Sequence, residues 1–117
     1  MPTTLKQDAQ ALAYKDMTAN KAANLQESLN LRSSFDQRQA DFNKLDTSGL
    51  DRLVSRANIA RDALKSAFDH GADINKLNSL WDVYVNSTDK VIGRIKAREM
   101  AESQAIQKNI AEVRNYV

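Results

Sequence analysis

His70 is the only histidine of the chain, and there is no cysteine. Any imidazole base, His-ligated metal or catalytic relay must therefore run through one side chain, whose nearest carboxylates in sequence are Asp69 and Asp73. A single histidine between two aspartates lacks the repeated ligand spacing of zinc sites and the alternating oxygen ligands of a calcium loop. No Gly-x-Ser-x-Gly turn is present to raise a serine nucleophile. The lack of cysteine removes disulfides, thiolate metal sites and cysteine nucleophiles together. His70 instead stands directly before Gly71. That position reads as a helix end, where a protonated imidazole complements the negative pole of the helix.

Carboxylate pairs at helical spacing, Asp62 with Asp69 and Glu99 with Glu102, each have Lys or Arg close by. They read as solvated, salt-bridged faces in place of acid and base pairs. The three glycines are dispersed at positions 49, 71 and 93, so no glycine-rich phosphate loop exists. Asn86-Ser87-Thr88 matches a glycosylation acceptor, but nothing beside it points to export. We expect no catalytic residue, no metal site, no cofactor and no small-molecule substrate: the chain reads as a non-enzyme.

Two basic clusters remain, Arg52, Arg56, Arg61 and Lys65 in one segment and Lys90, Arg94, Lys96 and Arg98 in another. Taken as a stripe on one side of a helix, the first would offer a phosphate-binding edge, and this is the alternative reading of function, a nucleic-acid accessory protein. Interleaved acids weaken it. Lys and Arg number 17 against 15 Asp and Glu, a formal net charge of +2, and phosphate attraction depends on accumulated charge.

The elements that must carry these residues are helices. Three Gly, one Pro and abundant Ala, Leu, Gln, Lys and Arg disfavour strands. Thr4 with Gln7 fits a capping box, so the first helix is expected from Leu5. Its opening stretch, with Leu5, Leu12, Tyr14 and Met17, is Ala-rich and weakly patterned. Leu25, Leu29, Phe35, Phe42 and Leu45 then recur near helical spacing. Ser34 with Gln37 resembles a second capping box, though the simpler reading runs unbroken to about Leu45. After the Thr47-Ser48-Gly49 loop, Ser48 with Asp51 is expected to cap a second helix with the stripe Leu50, Leu53, Val54, Ala57, Ala60, Leu64 and Phe68. Gly71 ends it and Asp73 caps the third. That helix carries Ile74, Leu77, Trp81, Tyr84, Val91 and Ile95, and from Tyr84 onward Ile95, Ile106 and Val117 follow at steps of eleven. Trp81 and Tyr84 read as core, and the weak helix formers Asn86 to Asp89 as a stretch the helix crosses unbroken.

Length then decides the architecture. Helices of about 41, 21 and 43 residues measure roughly 60, 30 and 65 Å at 1.5 Å per residue, whereas a compact chain of this size has a radius of gyration of about 13 to 14 Å. They cannot share one ball. We expect an all-α, elongated three-helix bundle in a single domain, two long helices flanking a shorter middle one. The compact part spans about residues 25–95, with Ala-rich arms 5–24 and 96–116 projecting from opposite ends.

The distal arm presents Ile106, Ile110, Val113 and Val117 on one side, while Gly93, Ala97, Ala101 and Ala105 form an i, i+4 row of small residues. A lone helix of this composition is marginal in water, because helical stability comes mainly from packing an apolar face. We therefore expect Gly93, Ala97, Ala101, Ala105, Ile106, Ile110 and Val113 to bind a protein partner. The expected function is a structural assembly or adaptor subunit, a homo-oligomer or part of a larger assembly such as a viral particle or secretion machine. The longest apolar run, Ala11 to Tyr14, is far too short to span a bilayer, and Met1 to Lys6 lacks the apolar stretch of a signal peptide. The expected setting is thus soluble, cytoplasmic or incorporated into a particle.

Overall fold

The computed structural model describes the backbone of residues 2–115 and the side chains of residues 19–115. It holds three helices, α1 (Pro2–Asn43), α2 (Asp51–Asp69) and α3 (Ile74–Asn115), and no strand among the described residues. The fold is all-α. α2 lies against the first half of α3, and α1 adds its last third to the same pair, mostly on α3. The Cα radius of gyration is 24.7 Å and the principal extents are 100 × 26 × 17 Å.

Two contacts mark where the bundle begins and ends. Arg32 of α1 reaches Asp69 at the foot of α2 at 3.9 Å, and Arg98 of α3 donates to the carbonyls of Asp46 and Ser48, at 2.7 and 2.9 Å, in the α1–α2 loop. Residues 2–30 of α1 and 99–115 of α3 overhang. Roughly 45 Å of free α1, 28 Å of overlap and 25 Å of free α3, at 1.5 Å per residue, account for the long dimension.

The core is small and specific. Among the described residues Phe35 is the one fully buried side chain of α1, and its ring lies 5.8 Å from Phe68 and 5.2 Å from Tyr84, tilted in both pairs. Leu64, Ala60 and Ala67 come from α2 and Leu77 and Tyr84 from α3, with Trp81 and Leu80 packed against them. Val91, Thr88 and Ile95 continue the buried line of α3. Arg32 covers this cluster, its guanidinium 5.5 Å from the Phe35 ring centre and 5.3 Å from that of Phe68.

Several sequence expectations shift. α1 begins at Pro2, not Leu5, since proline at a first helical position brings its φ already set and lacks only an N–H that would be unbonded there. Thr4 thus falls inside the first turn; its side chain, with those of Gln7, Leu5, Leu12, Tyr14 and Met17, lies outside the described residues. Leu25 and Leu29 are exposed, so the bundle starts near Leu31. α1 runs unbroken through Ser34, and Gln37 donates to Asp41 one turn on, at 3.0 Å. Ser48 does not cap α2. Its N–H and hydroxyl both donate to the Asp46 carboxylate, closing the loop on itself, and Leu50 precedes α2 with no side-chain cap. Those two donations hold the Asp46 carboxyl below its usual range, the hydroxyl contributing most.

The other two helix ends match their residues. Gly71 takes φ +68°, and the N–H groups of Gly71 and Ala72 return to the carbonyls of Phe68 and Ala67, the paired bonds of a Schellman close. Asp73 then accepts the Lys76 N–H at 2.9 Å and starts α3. α3 crosses Asn86 to Asp89 unbroken because Ser87 and Thr88 turn their hydroxyls back onto carbonyls of the preceding turn.

Candidate functional site

His70 lies exposed at the end of α2, and its Nδ1–H donates to the Ser66 carbonyl at 2.7 Å. That bond ties the ring to its own helix end. The nearby Asp73 carboxylate is engaged with the Lys76 N–H. Among the described residues no group of three or more His, Asp or Glu side chains could hold a metal ion.

A polar cluster that sequence reasoning missed joins α1 to α3. Arg38 donates through Nε to the Thr88 hydroxyl at 2.7 Å, and through its terminal nitrogen to the Val85 carbonyl at 3.3 Å and to the Asp89 carboxylate. Thr88 is fully buried, and its own proton goes to the carbonyls of Tyr84 and Val85. The forked guanidinium matches three acceptors on one turn of α3, which an ammonium could not do. Burial raises the Tyr84 pKa, and the cations Arg38 and Arg61 partly offset that rise. This cluster does structural work, since its polar atoms satisfy one another.

The four cations of the middle helix do not form one stripe. Nine residues separate Arg52 from Arg61, which at about 100° per residue sets them roughly 180° apart. Arg52 and Arg56 stand exposed on one edge of the buried Ala57, Ala60 and Leu64 line. Arg61 and Lys65 stand on the other, with Arg61 half-buried and paired to Asp62 at 3.0 Å.

The proposed partner residues also divide. Gly93, Ala97, Ala101 and Ala105 are all exposed, and a Cβ at Gly93 would meet nothing within 4 Å. Each step of four advances the row by about 40°, so Gly93 lies roughly 140° around the helix from Ile106 and only Ala105 approaches the aliphatic face. Ile106, Ile110 and Val113 are 59, 50 and 65% exposed. Val117 lies outside the described residues. Eleven residues from Ile95 to Ile106 make about three full turns, so these side chains continue the very face that α3 buries in the bundle. Glu99 and Glu102 occupy the same line between the two apolar stretches, both exposed. The arm thus carries a core face with no core under it, a continuous i, i+4, i+7 set of aliphatics at the free end of a helix.

Comparison with protein-family models, with curated proteins and with solved structures finds no match to this chain. No helix among the described residues is long and apolar enough to cross a membrane.

Proposed function

We propose that the protein is a non-enzymatic assembly or adaptor subunit that acts through helix–helix contacts of its α3 arm, as a component of a larger particle such as a virion or a secretion-type machine. The observation that carries this reading is the exposed Ile106, Ile110 and Val113 line, set in register with the buried face of the same helix. Burying the exposed half or more of each of three such side chains is worth roughly 1 to 2 kcal/mol each. An isolated helical overhang has no other source of stability, because its own propensity leaves it marginal. The overhangs lie at opposite ends of a rod, which suits joining one unit to another and does not suit enclosing a substrate.

Light scattering across a concentration series tests this. The full chain is expected to show a mass above that of one chain, returning to a single-chain mass on removal of residues 99–117. A single-chain mass for the full protein at every concentration would refute self-assembly.

A further inference from the structure

On the side of the bundle away from α1, α2 and α3 leave a furrow. Ile59 and Ala63 of α2 and Leu80 and Val83 of α3 line its middle. Ile59 is 70% and Val83 52% exposed, in a stretch where every other large apolar residue of the pair is at least partly covered. Arg56 lines the same furrow toward its upper end. Ile59 with Val83, Ala63 with Leu80 and Arg56 with Ser87 line the furrow together, an antiparallel register that places Arg52 near Lys90, with Arg94 one turn further toward the α1–α2 loop. Arg52, Arg56 and Ile59 follow at steps of four and three, as do Val83, Ser87, Lys90 and Arg94, so all four cations stand over this face. All four are exposed, and among the described residues none of them makes an ion pair. The furrow is therefore cationic at the end near the α1–α2 loop and apolar further down.

We infer that this furrow receives the α3 arm of a second copy of the chain. The inference rests on the arm being an association surface, and it adds where the arm goes. The arm's face has the complementary order: Glu99 and Glu102 first, then Ile106, Ile110 and Val113, with no cation on that line. The spacing agrees. From the midpoint of the two glutamates to Ile110 is about 14 Å along the axis, and from cations to aliphatics the furrow measures about 10 Å on α2 and 16 Å on α3. Ala63, a small residue at the furrow floor, leaves room for a helix to approach closely.

This order also sets direction. Acid against cation and aliphatic against aliphatic make the incoming arm run with α2 and against α3 of its host. Two α3 helices then lie antiparallel, so each copy can lend its arm to the other, and the contact closes on a two-fold pair in place of an open filament. One arm covers roughly 25 × 10 Å of its host. Two such footprints, increased by the corrugation of side chains, approach the roughly 800 Å² per partner of a stable interface.

The chain has no cysteine, so single substitutions report contacts cleanly. Full-length Ala63→Cys and Asn109→Cys variants are mixed in a glutathione redox buffer, with light scattering in parallel. The mixed Ala63→Cys to Asn109→Cys disulfide is expected to exceed either self-linked product by tenfold or more. Adding Arg52→Glu and Arg56→Glu to the furrow variant should abolish it. Reversing Glu99→Arg and Glu102→Arg in the arm variant should bring it back; the helical circular dichroism signal of each variant checks the fold. A mass that shows association, with the mixed disulfide no more abundant than chance or indifferent to these charges, overturns the furrow while leaving the arm's role standing. Predominant Asn109→Cys self-linkage places arm on arm and overturns it likewise. Binding of a duplex oligonucleotide lost with Arg52→Glu and Arg56→Glu, with no mixed disulfide, assigns the cations to phosphates and also overturns it. A single-chain mass throughout removes both proposals.

Discussion

Replacing Phe35 with alanine should release α1 from the bundle. Among the described residues Phe35 is the only fully buried side chain that α1 contributes, and its ring is the one that meets both Phe68 of α2 and Tyr84 of α3. A buried Phe cut to Ala costs about 3 to 5 kcal/mol, a figure that includes the two tilted ring contacts. A compact region of some 70 residues has only about 3 to 10 kcal/mol of stability to lose, at 0.05 to 0.15 kcal/mol per residue. The Arg38 cluster, the half-buried Leu31 and the Arg32 contacts with Asp69 and the Phe68 ring would remain, and none of these replaces that burial. Because α1 and α3 have 42 helical residues each and α2 has 19, detaching and melting α1 removes about two fifths of the helical signal. The measurement is urea unfolding followed by circular dichroism at 222 nm, with Leu25→Ala as the comparison. Leu25 is 61% exposed, so that substitution should shift stability by less than about 0.5 kcal/mol. If Phe35→Ala costs less than about 1 kcal/mol, or Leu25→Ala costs as much, then α1 is not held where these contacts place it.

Two further outcomes follow from the polar parts of the bundle. Arg38→Met should lower stability by about 1 to 3 kcal/mol in the same urea experiment, since charge-assisted hydrogen bonds to Thr88 and Asp89 are lost; Arg38→Lys should recover less than half of that, because an ammonium cannot span three acceptors on one turn. Tyr84 gives a pH dependence. Its pKa is raised above the ordinary 10.0 by burial, so the folded chain keeps a proton that the unfolded chain has already released. Tyr84's share of the stability is therefore complete below pH 10 and declines as pH rises through the higher folded value. Urea midpoints at pH 8 to 11 should fall less steeply above pH 10 for Tyr84→Phe than for the parent chain. Equal slopes would contradict the assigned burial.

The number, length and order of the helices were open to sequence reasoning because their signals are local. Asp73 caps and Gly71 closes through atoms within five residues, and the Leu77, Tyr84, Val91 and Ile95 line repeats within one helix. Ser48 misled because two short-range options competed for one hydroxyl, and the Asp46 carboxylate won it from α2. Thr88 looked like a weak point in α3 and is a buried anchor, since the guanidinium that seats it comes from Arg38, fifty residues away. The furrow was equally hidden. Arg52 and Arg56 read naturally with Arg61 and Lys65, their neighbours in the chain, but the turn of the helix separates them, and the antiparallel pairing brings them to the same end of the furrow as Lys90 and Arg94 instead. The sequence by itself determined which residues are helical, where each helix stops and that too little apolar surface exists to cover so much rod. Tertiary structure decided which faces meet, because that depends on how loops of a few residues set the register between positions dozens of residues apart, a quantity no periodicity within one helix contains.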